Sequence, residues 1–173
     1  GARIWHAILE EDKGYDYGNF CDSLTFCFSK GLGAPVGSML LGSSDFIEDS
    51  REYRKKLGGG MRQVGIIASA AKYAINMRDE ILHDHEKTRY IYKKLSEIKE
   101  KLNLIDEIEY KGTNMIFLIF KDNKMSTDFL KKLEKGNIKA GLIKKNIVRL
   151  VLHKDVNNKD LDKIVETVSQ SSS

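Results

Sequence analysis

The stretch LTFCFSKGLGAPVGSMLLG, residues 24–42, decides the fold. Apolar residues at alternate positions predict a strand over Ser23–Ser29 that is apolar on both faces. The next six residues, Lys30 to Pro35, hold two glycines and the single proline of the sequence, which predicts a loop. Val36–Leu41 predicts a second short strand that Gly42 closes. The chain therefore places a lysine at the end of an apolar strand, inside a tight turn.

Beyond this stretch, the sequence predicts a helical middle segment followed by a C-terminal domain of mixed strands and helices. Ser43 or Ser44 caps a predicted helix that reaches about Lys55, and three glycines follow it. From Met61 to about Leu102, apolar residues recur every three or four positions, which predicts a long helix or a kinked helix pair between two domains. The predicted parts are residues 1–60, the connecting segment 61–102, and a small α/β domain over 103–173.

Within residues 103–173 the pattern alternates between strands and helices. The predicted strands are Ile108–Tyr110, Met115–Phe120 and Val148–Leu152, and the predicted helices are Thr127–Lys135 and Asn157–Val168. The last three serines are expected to fray.

Composition excludes several classes of protein. The sequence carries 29 Lys and Arg against 25 Asp and Glu, and the cations are dispersed among acids, so a nucleic-acid stripe is not expected. The longest apolar run, Met115–Phe120, is far below the roughly 18 residues of a membrane span. The first residues lack signal-peptide features, and Cys21 and Cys27 are expected to be reduced thiols rather than a disulfide or half of a metal site. These features predict a cytoplasmic protein without a membrane or nucleic-acid partner.

Lys30 is the first candidate for chemistry. Partial desolvation in a tight turn favours a neutral amine, which can attack a carbonyl and form a Schiff base. A solvated loop lysine is the alternative that spacing alone favours. The glycines around Lys30 do not form a phosphate-binding loop of the Walker type, because the lysine precedes them and no Ser or Thr follows it. Gly58 to Gly60 also lack a following Lys-Ser pair.

A second candidate, His83-Asp84-His85-Glu86, resembles a metal site in composition only. Residues two apart lie about 200° around a helix, so the two histidines cannot share a metal ion. The interpretation is a polar helix surface, and no metal site is expected.

Several segments in one order resemble the low-specificity threonine aldolases, which are fold-type-I enzymes dependent on pyridoxal phosphate (PLP). They are SKGLGAPVGSMLLGS at 29–43, RKKLGGGMRQVGIIASAA at 54–71, VRLVLHKDV at 148–156, and the opening GARIWHA. The resemblance implies an α/β fold, with residues 1–60 as the remaining part of a PLP-binding, aspartate aminotransferase-like large domain. Residues 103–173 would be the small C-terminal α/β domain.

The resemblance also implies a role for five side chains. Lys30 would bind PLP covalently, and Arg3 would lie beside the cofactor and substrate. Arg149 would hold the substrate carboxylate through two parallel hydrogen bonds. Lys55 and Arg62 match positions that would reach the cofactor phosphate in the active site of a neighbouring subunit of a homo-oligomer.

The implied reaction is retro-aldol cleavage of L-threonine or L-allo-threonine to glycine and acetaldehyde. The aspartate that precedes the position of Gly1 in the family, and the upstream half with its phosphate contacts, lie outside these 173 residues. The resemblance therefore implies that these residues supply half of the active site and are inactive on their own. Another fold-type-I lyase or transaminase, an inactive fragment, and a nucleic-acid module remain alternatives.

Overall fold

The computed structural model describes residues 1–10 and 16–172, which form two compact units, Gly1–Ile81 and Leu82–Ser173. The boundary falls inside the predicted connecting segment, which is a helix pair with a short 3-10 turn between its members. The helices are α1 (Ile4–Glu10), α2 (Ser44–Lys56), α3 (Gly65–Asn76), α4 (Ile81–Glu97), α5 (Asn123–Lys135) and α6 (Leu161–Ser172). The strands are β1 (Ser23–Cys27), β2 (Ser38–Gly42), β3 (Ile105–Tyr110), β4 (Met115–Phe120), β5 (Gly141–Lys144) and β6 (Ile147–Val151).

The first unit is built on an antiparallel pair of strands, β1 and β2, joined through the lysine turn, the 3-10 turn Lys30–Leu32. Phe26 packs edge-on against Trp5 of α1 and against Phe28, with ring centroids 5.5 and 5.3 Å apart. Such pairs stabilise a core beyond their area burial. Only the face of β1 that carries these phenylalanines is buried by the described residues, since Thr25 on the other face is exposed. The core of this unit therefore lies between β1, α1, the turn and α3, whose Ala71 and Ala74 are also buried.

The second unit is a four-stranded antiparallel sheet in the order β3-β4-β6-β5. Alternate residues of β4 and β6 are fully buried in one cluster with residues of α4, α5 and α6, so the helices cover one face of the sheet. The residues between them point to the other face and are half-buried. Arg149 belongs to this second face, where it pairs with Phe117 of β4 and Gly141 of β5.

Local capping signals explain where the helices begin. The Ser43 hydroxyl accepts a hydrogen bond from the Phe46 amide at 3.3 Å, and Asp122 accepts from the Met125 amide at 2.8 Å. The first cap confirms the predicted start of α2, and the second begins α5 four residues earlier than its apolar pattern indicated. β5 was not predicted.

The C-terminal serines depart from the prediction. Ser171 and Ser172 are buried in α6, and the Leu104 amide donates to the Ser172 carbonyl at 3.1 Å. The expected fraying is therefore wrong for these two residues, and Ser173 lies outside the described residues.

The cysteines and the apolar character of the helices were also subjects of sequence predictions. Cys21 and Cys27 are both free, as predicted, and the Cys21 thiol donates to the Tyr17 carbonyl at 3.2 Å. Across residues 1–10 and 16–172, none of the helices combines the length and apolar character needed to cross a bilayer.

The predicted polar surface at residues 83–86 is wrong for two of its four members. His83 is exposed and lies 3.3 Å from Glu86, whereas Asp84 and His85 are only 2% and 0% exposed. Lys87 lies 3.6 Å from the Asp84 carboxylate and donates to the His153 carbonyl at 3.3 Å. Burial is the main influence on Asp84 and raises its pKa above the ordinary value, although Lys87 acts in the opposite direction.

This raised pKa predicts a pH-dependent difference between the wild type and Asp84→Asn. The folded protein holds a proton on Asp84 more tightly than the unfolded chain does, so stability falls as pH rises from about 4 through the folded-state pKa. We expect Asp84→Asn to lack that component, so its stability relative to wild type improves with pH across this window. Urea unfolding of the full-length protein at a series of pH values measures the difference.

The control for this prediction is an exposed pair of the same helical spacing. Asp128 and Lys131 lie 3.2 Å apart on α5. Asp128→Asn is expected to cost less than about 1 kcal/mol, as for other surface pairs. The account would be contradicted if the difference in unfolding free energy between wild type and Asp84→Asn did not change across the pH series.

Candidate active site

Lys30 follows Phe28 and Ser29 at the end of β1 and opens a 3-10 turn, Lys30–Leu32. Its backbone has a φ of 67°, in the left-handed region that side chains with a Cβ rarely adopt. The Gly33 amide donates to the Lys30 carbonyl at 2.8 Å, and Gly33 itself has a φ of 78°. The turn thus holds a non-glycine residue in a costly conformation, which is a feature typical of functional sites.

Two backbone hydrogen bonds fix the base of this turn. The Phe28 amide donates to the Gly37 carbonyl and the Ala34 amide donates to the Phe28 carbonyl, both at 3.0 Å. Leu32 and Ala34 are buried beneath it. A Cβ on Gly37, which has a φ of 118°, would lie 3.3 Å from the Phe28 ring, so this position suits glycine on two grounds. The lysine side chain is exposed, so the described residues do not supply the desolvation expected from the sequence.

The left-handed conformation makes a testable prediction about stability. At residue 30 of the full-length protein, glycine is expected to be more stable than alanine by about 1 kcal/mol, because alanine keeps the left-handed strain. At Lys131, in the regular helix α5, the order should be reversed by a similar amount. Thermal or urea unfolding of the four variants tests this, and the same sign at both positions would show that Lys30 is unstrained.

Arg3 immediately precedes α1, and the chain just before it is hydrogen-bonded to β1. The Gly1 nitrogen donates to the Thr25 carbonyl of β1 at 2.5 Å, and the Ala7 amide donates to the Arg3 carbonyl at 3.1 Å. The Arg3 side chain is half-buried. The first unit therefore brings the segment of Arg3 next to β1, and the role of Arg3 beside the cofactor stays a prediction.

Arg149 lies in the second unit, on the sheet face opposite the helices. It is half-buried, and its Nε atom is buried without a hydrogen-bond partner among the described residues. A guanidinium nitrogen, Nη2, lies 3.9 Å from the point where a Cβ on Gly141 would stand. A buried cationic donor that lacks a protein acceptor is suited to an anionic ligand, and a carboxylate matches its planar fork.

Lys55 and Arg62 flank the three glycines after α2 and are both exposed. Within residues 1–10 and 16–172, neither side chain forms a hydrogen bond or an ion pair. Their assignment to a neighbouring subunit's site stays a prediction.

The described residues contain a cleft apart from the candidate site residues. No group of three or more His, Cys, Asp or Glu in residues 1–10 and 16–172 is arranged to hold a metal ion. An open cleft of about 500 Å³ in the second unit is lined by residues of 136–139, 150–156 and 160–164, and Arg149 is not among them. The candidate residues therefore do not belong to that cleft.

Comparison with solved structures defines the class of fold. The chain has the α/β fold of the PLP-dependent transferases, fold type I, as the sequence predicted. A putative L-allo-threonine aldolase from Listeria monocytogenes covers 99% of this chain with a TM-score of 0.67 and 16% identity, over 50% of its own length. Acetylornithine aminotransferase from Elizabethkingia anophelis covers 95% with a TM-score of 0.64 and 15% identity, over 45% of its own length.

Sequence comparison then gives the family. The model for beta-eliminating lyases matches residues 1–121, so the chain belongs to the beta-eliminating lyase family. The low specificity L-threonine aldolase of Escherichia coli K12 is 35% identical over 167 residues, which is 95% of this chain and 47% of that protein. The chain thus spans about half the length of the curated relatives it matches, and the resemblance seen in its motifs is confirmed.

Proposed function

We propose that the full-length protein containing this chain is a PLP-dependent aldolase. It cleaves L-threonine or L-allo-threonine to glycine and acetaldehyde. The observation that carries the proposal is Lys30, held at a φ of 67° in a turn at the end of β1, in a chain that belongs to the beta-eliminating lyase family.

The residues present fit PLP as the cofactor. Lys30 is exposed and offers a primary amine to an aldehyde, and the turn that holds it is fixed at its base by the hydrogen bonds of Phe28. When bound, PLP supplies the electron sink for the bond that breaks between the α and β carbons. Lys30 is the proposed attachment residue, and Arg3 lies beside the cofactor and substrate in this proposal.

Arg149 is proposed to bind the substrate carboxylate. Its Nε is a buried donor without an acceptor among the described residues, and a carboxylate oxygen would satisfy it. A bidentate pair fixes the rotation of the amino acid as well as its position, which aligns the bond to be broken. The proton acceptor for the β-hydroxyl is not assigned to this chain.

A homo-oligomer is part of the proposal. Lys55 and Arg62 are exposed and without polar partners among the described residues, as expected for side chains that reach the cofactor phosphate of a neighbouring subunit. A cytoplasmic location is proposed on the two free cysteines, which fit a reducing compartment.

The reaction is tested with purified full-length protein supplied with PLP. L-Threonine and L-allo-threonine should each be assayed for glycine and acetaldehyde, beside L-serine for β-elimination to pyruvate and an amino donor with a keto acid for transamination. We expect glycine and acetaldehyde in equal amounts. Transamination or pyruvate formation without retro-aldol cleavage would overturn the aldolase proposal in favour of another reaction of this fold.

A further inference from the structure

A buried histidine of α1 packs against the lysine turn. His6 is only 2% exposed, and residues of α1 contact the turn Lys30–Leu32. A Cβ built on Gly31 would lie 3.1 Å from the His6 Cδ2 atom and 3.3 Å from its Cε1 atom, and closer still to its Nε2 atom. The imidazole therefore occupies the space that any side chain at position 31 would need.

This contact explains why the residue after Lys30 is glycine. The φ of Gly31 is not in the left-handed region, so backbone conformation alone does not demand glycine there. Glycine is required because the His6 imidazole occupies the space where a Cβ would lie. Because His6 is buried, its imidazole has little free space into which to move, and a methyl group at position 31 must displace either the ring or the turn.

We propose that His6 is a positioning residue for Lys30. The inference rests on the proposed function in one respect, that Lys30 carries PLP. On one side of the turn, the Gly33 amide holds the Lys30 carbonyl at 2.8 Å; on the other, the His6 ring holds the Gly31 backbone against α1. Lys30 lies between these two restraints in a left-handed backbone conformation. Without the restraints, a lysine would relax to a more favourable φ.

The functional consequence is the direction of the lysine side chain. The backbone conformation of the turn fixes the direction of the Lys30 Cα–Cβ bond. The restraint at Gly31 therefore sets the position at which the Lys30 amine meets the aldehyde of PLP. Removing the ring opens a space beside Gly31 and frees the turn to relax. We expect slower attachment of PLP to Lys30, even in a protein that remains folded.

Four variants of the full-length protein form the test: His6→Ala, His6→Asn, Gly31→Ala and the double variant His6→Ala/Gly31→Ala. Ile75→Ala is the control, because it removes side-chain volume from the same core at a position on α3, outside α1 and the turn. The readouts are the urea unfolding midpoint and the rate at which PLP, added to cofactor-free protein, is trapped on Lys30 by borohydride, followed by peptide mapping.

We expect His6→Ala and Gly31→Ala each to slow trapping at Lys30 by about tenfold or more. The milder variant His6→Asn should also slow trapping, and it replaces His6→Ala in the test if His6→Ala fails to fold. Ile75→Ala should lower the midpoint but leave the rate near that of wild type. Adding Gly31→Ala to His6→Ala should cost much less stability than adding it to wild type, because the ring is gone.

Three outcomes would overturn the inference. Folded His6→Ala or His6→Asn protein that traps PLP at the wild-type rate would show that His6 does not position Lys30. A slowing by Ile75→Ala equal to that by the His6 variants would show a general effect of destabilisation. Trapping in wild type at another lysine would refute the proposed role of Lys30, whereas the stability cycle would still report on the contact between His6 and Gly31.

Discussion

Lys30→Ala in the full-length protein is expected to lower threonine cleavage by at least about 10³-fold, the scale seen when a covalent nucleophile is removed. Without the amine there is no covalent attachment of PLP to the chain. The fold should remain, because the Lys30 side chain is exposed and alanine keeps the backbone hydrogen bonds of the turn. Glycine and acetaldehyde formation measures the first effect, and far-ultraviolet circular dichroism measures the second.

Lys131→Ala is the matched control for Lys30→Ala. Lys131 is also an exposed lysine, paired with Asp128 on α5 of the second unit. Its replacement should leave cleavage within about twofold of wild type, as expected for a surface ion pair. Folded Lys30→Ala protein that cleaves threonine at a rate near wild type would remove Lys30 from the reaction.

The second large effect is expected at Arg149. Arg149→Lys keeps the charge but replaces a planar fork with a point charge, so one of two parallel hydrogen bonds to the carboxylate is lost. We expect a strong increase in KM, with a loss of transition-state binding of about 2 kcal/mol for lysine and nearer 5 kcal/mol for alanine. Steady-state kinetics with L-threonine measures both.

A second arginine tests whether the Arg149 effect is specific. Arg78 is an exposed arginine whose Nη1 donates to the Ile75 carbonyl at 3.4 Å, and Arg78→Lys should leave KM unchanged. Should Arg149→Lys have the kinetic constants of wild type, Arg149 does not bind the substrate carboxylate.

The elements around the lysine turn were predictable because local signals agree there. Alternating apolar residues mark β1, glycines mark the turn, and Ser43 caps α2, so pattern, turn chemistry and capping all indicate one structure. β4 was predicted at its observed bounds because Met115–Phe120 is an uninterrupted apolar run, which fits a strand that is buried or half-buried on both faces.

The misses have a common cause, which is tertiary contact. β5 holds only exposed or half-buried residues and exists because it pairs with β6, so its four residues carry no period of their own. Asp84 is polar by type but is buried in the folded chain, with Lys87 within 3.6 Å. A sequence pattern that assigns charge to the surface misses such a pair.

The candidate site shows the same contrast between residues that sequence motifs reveal and residues that only tertiary contacts reveal. Lys30 and Arg149 were identified as candidates through the resemblance of their segments to the threonine aldolases, and their roles remain proposals. His6 was not, although it is part of the GARIWHA segment, since its contact with Gly31 joins residues 25 positions apart in the sequence. A lone histidine between apolar neighbours carries no signal of what it touches.

The most direct test of the central claim is the identity of the lysine that binds PLP. The full-length protein should be loaded with PLP, reduced with borohydride, digested and mapped by mass spectrometry. We predict a single pyridoxyl group on Lys30, in the peptide that contains Ser29 and Gly31. A pyridoxyl group on another lysine, with Lys30 unmodified, would contradict the account.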